Sequence, residues 1–150
     1  MKYFLDTEFN EFGGELISLA LVREDGESLY LVYPQPKAGY GPWVKENVVP
    51  IIWDIPSPFP GNATPVTDTA TGARLIAAFL KEDPRPVIIT DWPDDIRYFC
   101  QSIITGPGMM AAINGLTFEM VRVDAYPTTL PGAVQHNAWW DARALWHLFK

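Results

Sequence analysis

One cysteine, two histidines and eleven basic side chains against eighteen acidic ones mark this chain first by what it is short of. A lone thiol, Cys100, excludes an intrachain disulfide framework and a cysteine-rich zinc site, and it fits a reducing compartment. A formal net charge of -7 and a pI near 4.7 exclude a protein that coats nucleic acid or anionic lipid through bulk positive charge. Long apolar runs are also missing. The longest uncharged stretch, residues 98–118, is broken by Gly106, Pro107, Gly108 and Gly115, so no transmembrane helix is expected. Only three apolar residues separate Lys2 from Asp6, too few for the apolar core of a signal peptide, and the expectation is a cytoplasmic protein with no membrane partner. There is no Gly-x-x-x-x-Gly-Lys loop, no Gly-x-Gly-x-x-Gly turn, no Gly-x-Ser-x-Gly elbow and no His-Glu-x-x-His helix. The phosphate-loop, dinucleotide, hydrolase-elbow and zincin classes therefore lack their working parts.

What is present suits one domain spanning residues 1–150. At 150 residues and 48% hydrophobic content the chain buries enough apolar surface for a single core. Residues 3–9, 15–22 and 28–33 read as three strands, the last two joined across Asp25-Gly26, a step suited to a tight hairpin. Val44 and Val48 stand at helical spacing before Pro50. Four prolines within residues 54–65 predict a loop there. A helix is expected over residues 72–81 with Thr71 as its cap. Val87-Ile88-Ile89-Thr90 lacks polar alternation, the signature of a strand covered on both faces. Residues 91–104 carry a helical apolar stripe, residues 117–123 suit a last strand, and residues 135–149 a terminal helix. A β-meander followed by alternating helices and parallel strands predicts an α/β protein of ribonuclease-H-like layout: a mixed sheet with helices on both faces.

Two places concentrate carboxylates. Asp6 and Glu8, two apart on a predicted strand, leave the same face, and paired carboxylates held together call for a cation such as Mg²⁺ or Mn²⁺. Asp91, Asp94 and Asp95 open a helix, where negative charge complements the helix dipole. Asp95 follows a buried strand, the end of an α/β sheet where sites gather. His136 and Asp141 span the entry into the last helix, with Asn137 as its cap. With two histidines and ten aspartates in the chain, a His-x-x-x-x-Asp match arises about 0.13 times by chance, which makes it the more specific of these signals. His147, in the final turn, offsets the C-terminal dipole and reads as structural.

In chain order, Tyr3-Phe4-Leu5-Asp6-Thr7-Glu8-Phe9, the segment from Asp91 to Phe99, and the segment from His136 to Leu145 resemble the three motifs of the DEDDh 3′-to-5′ exonucleases. That family includes oligoribonuclease-like enzymes, ribonuclease T and polymerase proofreading exonucleases, and the opening is most similar to a compact bacterial exoribonuclease subgroup. The resemblance implies Asp6, Glu8, Asp95 and Asp141 as ligands of two divalent cations, Mg²⁺ or Mn²⁺, with Asp94 an alternative to Asp95. It implies His136 as general base, its near-neutral pKa suiting the task. Phe9 is a candidate for stacking on the terminal base. Two bound divalent ions would bring the charge from -7 to -3, and few cations remain to track a long strand, so a short footprint is expected.

The function this implies is metal-dependent 3′-to-5′ hydrolysis of single-stranded RNA ends to nucleoside 5′-monophosphates, RNA being the subgroup's preference. A DNA-directed or proofreading exonuclease is the alternative within enzymes, and a noncatalytic nucleic-acid-binding or assembly module with the same fold is the alternative outside them. The family's habit of pairing allows a homodimer, for which Trp43, Trp53, Phe59 or the Met109-Met110 segment offers apolar surface.

Overall fold

The computed structural model describes residues 1–123, 125 and 129–150. Strands β1 (Lys2–Phe9), β2 (Leu16–Arg23) and β3 (Ser28–Val32) form the antiparallel meander, and α1 (Pro42–Asn47) runs into a 3₁₀ turn at Val49–Ile51. Then follow β4 (Gly61–Pro65), α2 (Thr69–Leu80), β5 (Val87–Thr90) and α3 (Pro93–Ser102). A small hairpin of β6 (Ile104–Gly106) and β7 (Met109–Met110) precedes β8 (Thr117–Met120) and α4 (Ala138–Phe149). Six strands share one sheet in the order β4-β3-β2-β1-β5-β8. β1, β2 and β3 pair antiparallel, while β4 on β3, β5 on β1 and β8 on β5 are parallel. This is the ribonuclease-H-like arrangement that the element order predicts.

Alternation along the central strands builds two cores. Phe4 on β1, with Ile17, Ala20, Val22 and Tyr30, packs under Trp139, Ala142 and Leu145 of α4 and Val44 of α1. Tyr3 and Leu5, with Leu19, Leu21, Leu29 and Leu31, pack under Ile76 and Leu80 of α2 and Phe99 of α3. Helices therefore cover both faces, and β5 is buried from Ile88 to Thr90 as its unbroken β-branched run requires. The same alternation sends Asp6 and Glu8 toward α4, and Thr7 toward α3.

Three departures from the sequence reading have local causes. Residues 61–65 form a parallel edge strand on β3, because an edge position tolerates Pro65 and exposed polar residues where a central strand does not. Asp68, rather than Thr71, caps α2, its carboxylate accepting from the Thr71 N–H at 2.7 Å. The β6-β7 hairpin appears where only a glycine-broken stretch was legible. Of the residues offered for pairing, Trp43, Trp53, Met109 and Met110 are exposed, whereas Phe59 packs against Tyr30 and Trp139. No described helix is long and apolar enough to cross a membrane.

Candidate active site

Asn137 shows how the last motif places its neighbours. Its side-chain oxygen accepts from the Trp139 and Trp140 N–H groups at 3.0 and 3.2 Å, while its amide donates to the Ile51 and Ile52 carbonyls at 2.9 and 3.1 Å. One buried residue thus caps α4, a contact worth about 1 kcal/mol, and ties it to the turn after α1. Asp141 follows one turn later on the face toward β1. His136 precedes the cap with a left-handed backbone, φ 66°, a conformation uncommon for a residue with a side chain. Its ring meets the Trp43 indole edge-on, centroids 5.0 Å apart.

Ligand-capable oxygens of Asp6, Glu8 and Asp141 all lie within 4.8 Å of one another. These residues are half-buried as a whole, and Asp6 Oδ2 is out of contact with solvent and has no hydrogen-bond partner among the described residues. Burial, reinforced by the surrounding carboxylates, pushes Asp6 and Glu8 well above the ordinary carboxylate range. Burial also raises Asp141 to about 7, against hydrogen bonds with the Glu8 side chain and the His136 backbone that favour its charged form. Three carboxyl groups gathered in a buried corner, with one oxygen left unpartnered, fit a hard divalent cation.

Asp95 is outside the group of oxygens that converge, but its charge acts on all three carboxyls, and it is the strongest of the neighbouring charges on Asp6. Its Oδ1 accepts from the Thr7 hydroxyl at 2.6 Å and the Thr7 backbone N–H at 3.2 Å, and its Oδ2 from the Thr90 hydroxyl at 2.7 Å. Burial lifts its pKa to about 6 in spite of those donors. Asp94 is held elsewhere, by Arg97 at 3.2 Å and the Trp92 indole N–H at 3.3 Å. Phe9 turns away from the trio and stacks on Tyr98, centroids 4.5 Å apart.

A cavity of about 630 Å³ opens at Asp6 and Asp141, lined also by His136, Gln135, Asp91, Trp43, Trp92 and Ala125. Burial lowers the pKa of His136, so its imidazole is neutral and able to accept a proton at neutral pH. Trp43, Trp92, Gln135 and Asp91 are lining residues that sequence reasoning did not select. Asp91 alone carries a sequence signal, as the first residue beyond β5, and that signal is equally the one for a helix-start charge. Thr7 and Thr90 were also missed, although period two places Thr7 opposite Asp6 and Glu8.

The pKa of Asp141 carries a pH prediction. In the unfolded chain its proton leaves near the ordinary aspartate value, about 3.9; in the fold it stays until about 7. The folded state therefore binds more protons across that window, and stability without metal falls as pH rises from about 4 to about 7. Asp141→Asn should remove this residue's share of the slope, those of Asp6, Glu8 and Asp95 remaining, and gain about 3–10 °C in Tm on the wild type between pH 4 and pH 7.5. Parallel melting curves of the two proteins in chelator across that range contradict the assignment.

No protein-family profile matches the chain. Two proteins from two strains of Mycobacterium tuberculosis, each named 3′-5′ exoribonuclease, are 46% identical to it over 54 residues. The shared segment covers 33% of this chain and 32% of each of theirs, so the match spans about a third of the relatives' length.

Proposed function

We propose that residues 1–150 form one exonuclease domain that hydrolyses single-stranded RNA from its 3′ end in the presence of Mg²⁺ or Mn²⁺, releasing nucleoside 5′-monophosphates. The observation that carries this reading is the convergence of Asp6, Glu8 and Asp141, two of which, Asp6 and Asp141, line a cavity together with His136. The likeness to two proteins named exoribonucleases supports the same reaction class.

In this reading Asp6, Glu8 and Asp141 hold the cations. Bound there, divalent ions supply Lewis-acid polarisation of the scissile phosphate and a water of lowered pKa. His136 takes the proton of the attacking water on its free ring nitrogen, the Trp43 edge fixing the ring's orientation. Asp95 also holds β1 through Thr7, and the ligand role that the family resemblance implies for it is decided by the Asp95→Asn variant. Trp43, half exposed beside His136, offers a flat face to the terminal base. The carboxylate-lined cavity repels a phosphate backbone unless cations are bound, which makes activity strictly metal-dependent.

The deciding experiment is digestion of a 5′-labelled single-stranded RNA, with matched DNA alongside, in Mn²⁺ or Mg²⁺ and in chelator. A metal-dependent ladder shortening from the 3′ end, stronger on RNA, is the expected result. Equal cleavage of both strands would move the substrate to DNA as well. Absence of any ladder would leave a noncatalytic binding module. Independently of turnover, millimolar Mn²⁺ should raise the wild-type Tm by several degrees and raise it far less in Asp6→Ala or Asp141→Ala. Equal shifts in all three proteins would remove the metal site.

A further inference from the structure

The register of the parallel strands places an aromatic residue and a cation side by side at the rim of the candidate site. β5 and β8 pair up to Thr90↔Met120, and the Val121 N–H still reaches the Thr90 carbonyl at 2.8 Å. Two residues further along each chain, Trp92 and Arg122 meet beyond the end of the sheet, the guanidinium carbon 5.4 Å from the indole centroid. Both sides of this contact are held. The Trp92 indole N–H donates to Asp94, and Asp94 is in turn bound by Arg97. Arg122 Nη1 donates to the Val123 carbonyl at 3.2 Å.

Trp92 nevertheless stays 48% exposed, and it lines the cavity that holds Asp6, Asp141 and His136. A large indole kept half in solvent while its edge is pinned suits a surface on which a flat group lands. The electrostatics point the same way. The described residues lining the cavity include three carboxylates and no lysine or arginine. Cations at the trio would neutralise the scissile phosphate, but the next phosphate along the strand needs its own positive partner, and Arg122 stands at that rim.

We propose, on the strength of the exonuclease reading above, that Trp92 and Arg122 form the subsite for the nucleotide immediately upstream of the scissile bond. The base of that nucleotide stacks on the Trp92 indole and its phosphate meets the Arg122 guanidinium. Stacking on an indole is blind to base identity, so this subsite sets the minimum substrate length and the polarity of the strand, not its sequence.

The test is calorimetric binding of adenosine 5′-monophosphate and of the 5′-phosphorylated adenosine dinucleotide and tetranucleotide, with Ca²⁺ in place of Mg²⁺ and the oligomers verified intact afterwards. Wild type should bind the dinucleotide more tightly than the mononucleotide. Trp92→Ala should erase that gain, weakening the oligomers about 5- to 100-fold while the mononucleotide shifts by no more than about twofold. Trp92→Phe, which keeps an aromatic face, should stay within about threefold of wild type. Arg122→Gln should reduce the slope of log affinity against log salt for the oligomers by about 0.7, the increment for one phosphate contact on a single strand. Should Trp92→Ala prove too unstable to assay, the phenylalanine variant and the Arg122 salt slope decide alone. Wild-type oligomer affinity in Trp92→Ala, or an unchanged slope in Arg122→Gln, overturns the subsite and leaves the exonuclease reading standing. A wild type that binds none of the three ligands overturns both.

Discussion

Alanine at position 136 is expected to lower the rate of RNA hydrolysis by about 10²- to 10⁴-fold, the usual contribution of a positioned general base, while the Mn²⁺-induced rise in Tm persists. The separation follows from the geometry. His136 lines the cavity, but the group of oxygens that converge consists of Asp6, Glu8 and Asp141. Removing the imidazole deletes the proton acceptor without touching the carboxylates. Alanine carries a Cβ as histidine does and meets the same left-handed φ of 66°, so a stability change from relieved strain is not expected. Asp6→Ala behaves differently. It removes the carboxylate whose buried oxygen has no partner and should abolish the Tm response together with turnover, by about 10³-fold or more if several kcal/mol of transition-state stabilisation are lost. A further check is the pH profile at saturating Mn²⁺: burial lowers the His136 pKa, and the mutant should lose the imidazole's contribution to the acid-side limb, leaving the part set by proton competition at the carboxylates. Full turnover in His136→Ala removes the residue from the reaction.

Much of this arrangement was legible in the sequence because the relevant signals are short-range. Period two along residues 2–9 places Asp6 and Glu8 on one face, and the unbroken β-branched run at residues 87–90 marks a strand covered on both sides. The five-residue step from His136 to Asp141 spans a helix entry, and Asn137 between them is a strong cap in any context. What was not legible depends on tertiary pairing. β4 exists only because β3 offers it an edge, and its composition of proline, glycine and asparagine argues for a loop. Trp92 and Arg122 lie thirty positions apart and come together only through the β5-β8 register. Asp95 is the instructive case. Its chain position marks it as a site residue, but the partners that occupy it, Thr7 and Thr90, sit on the ends of two other elements, and nothing local announces them.

Asp95→Ala should therefore be strongly destabilising, by about 3–5 kcal/mol and on the order of 10 °C in Tm. Pairing between β1 and β5 ends at Phe4↔Ile89, so on that edge the Thr7 N–H has no strand to bond, and the Asp95 carboxylate takes the place of one. Alanine leaves this N–H and the Thr7 hydroxyl without their acceptor, and the Thr90 hydroxyl with only the Trp92 carbonyl at 3.5 Å, at a position only 2% exposed, and each unsatisfied buried donor costs about 1–3 kcal/mol. Asparagine is the informative companion. Its amide oxygen can still accept from Thr7, and the Thr90 hydroxyl, free to rotate, can accept from its amide hydrogens. Asp95→Asn should then keep most of the stability, within about 1 kcal/mol of wild type. It also removes a negative charge that, after burial, is the strongest influence raising the Asp6 pKa. If Asp95 acts through β1, the asparagine variant keeps its Mn²⁺-induced Tm rise and a substantial share of turnover. If it binds a cation directly, as the family resemblance implies, the variant folds normally and loses the Tm response as completely as Asp6→Ala. A normal Tm in Asp95→Ala would sink the clamp outright, because the buried Thr7 N–H and hydroxyl cannot lose their acceptor at no thermodynamic cost.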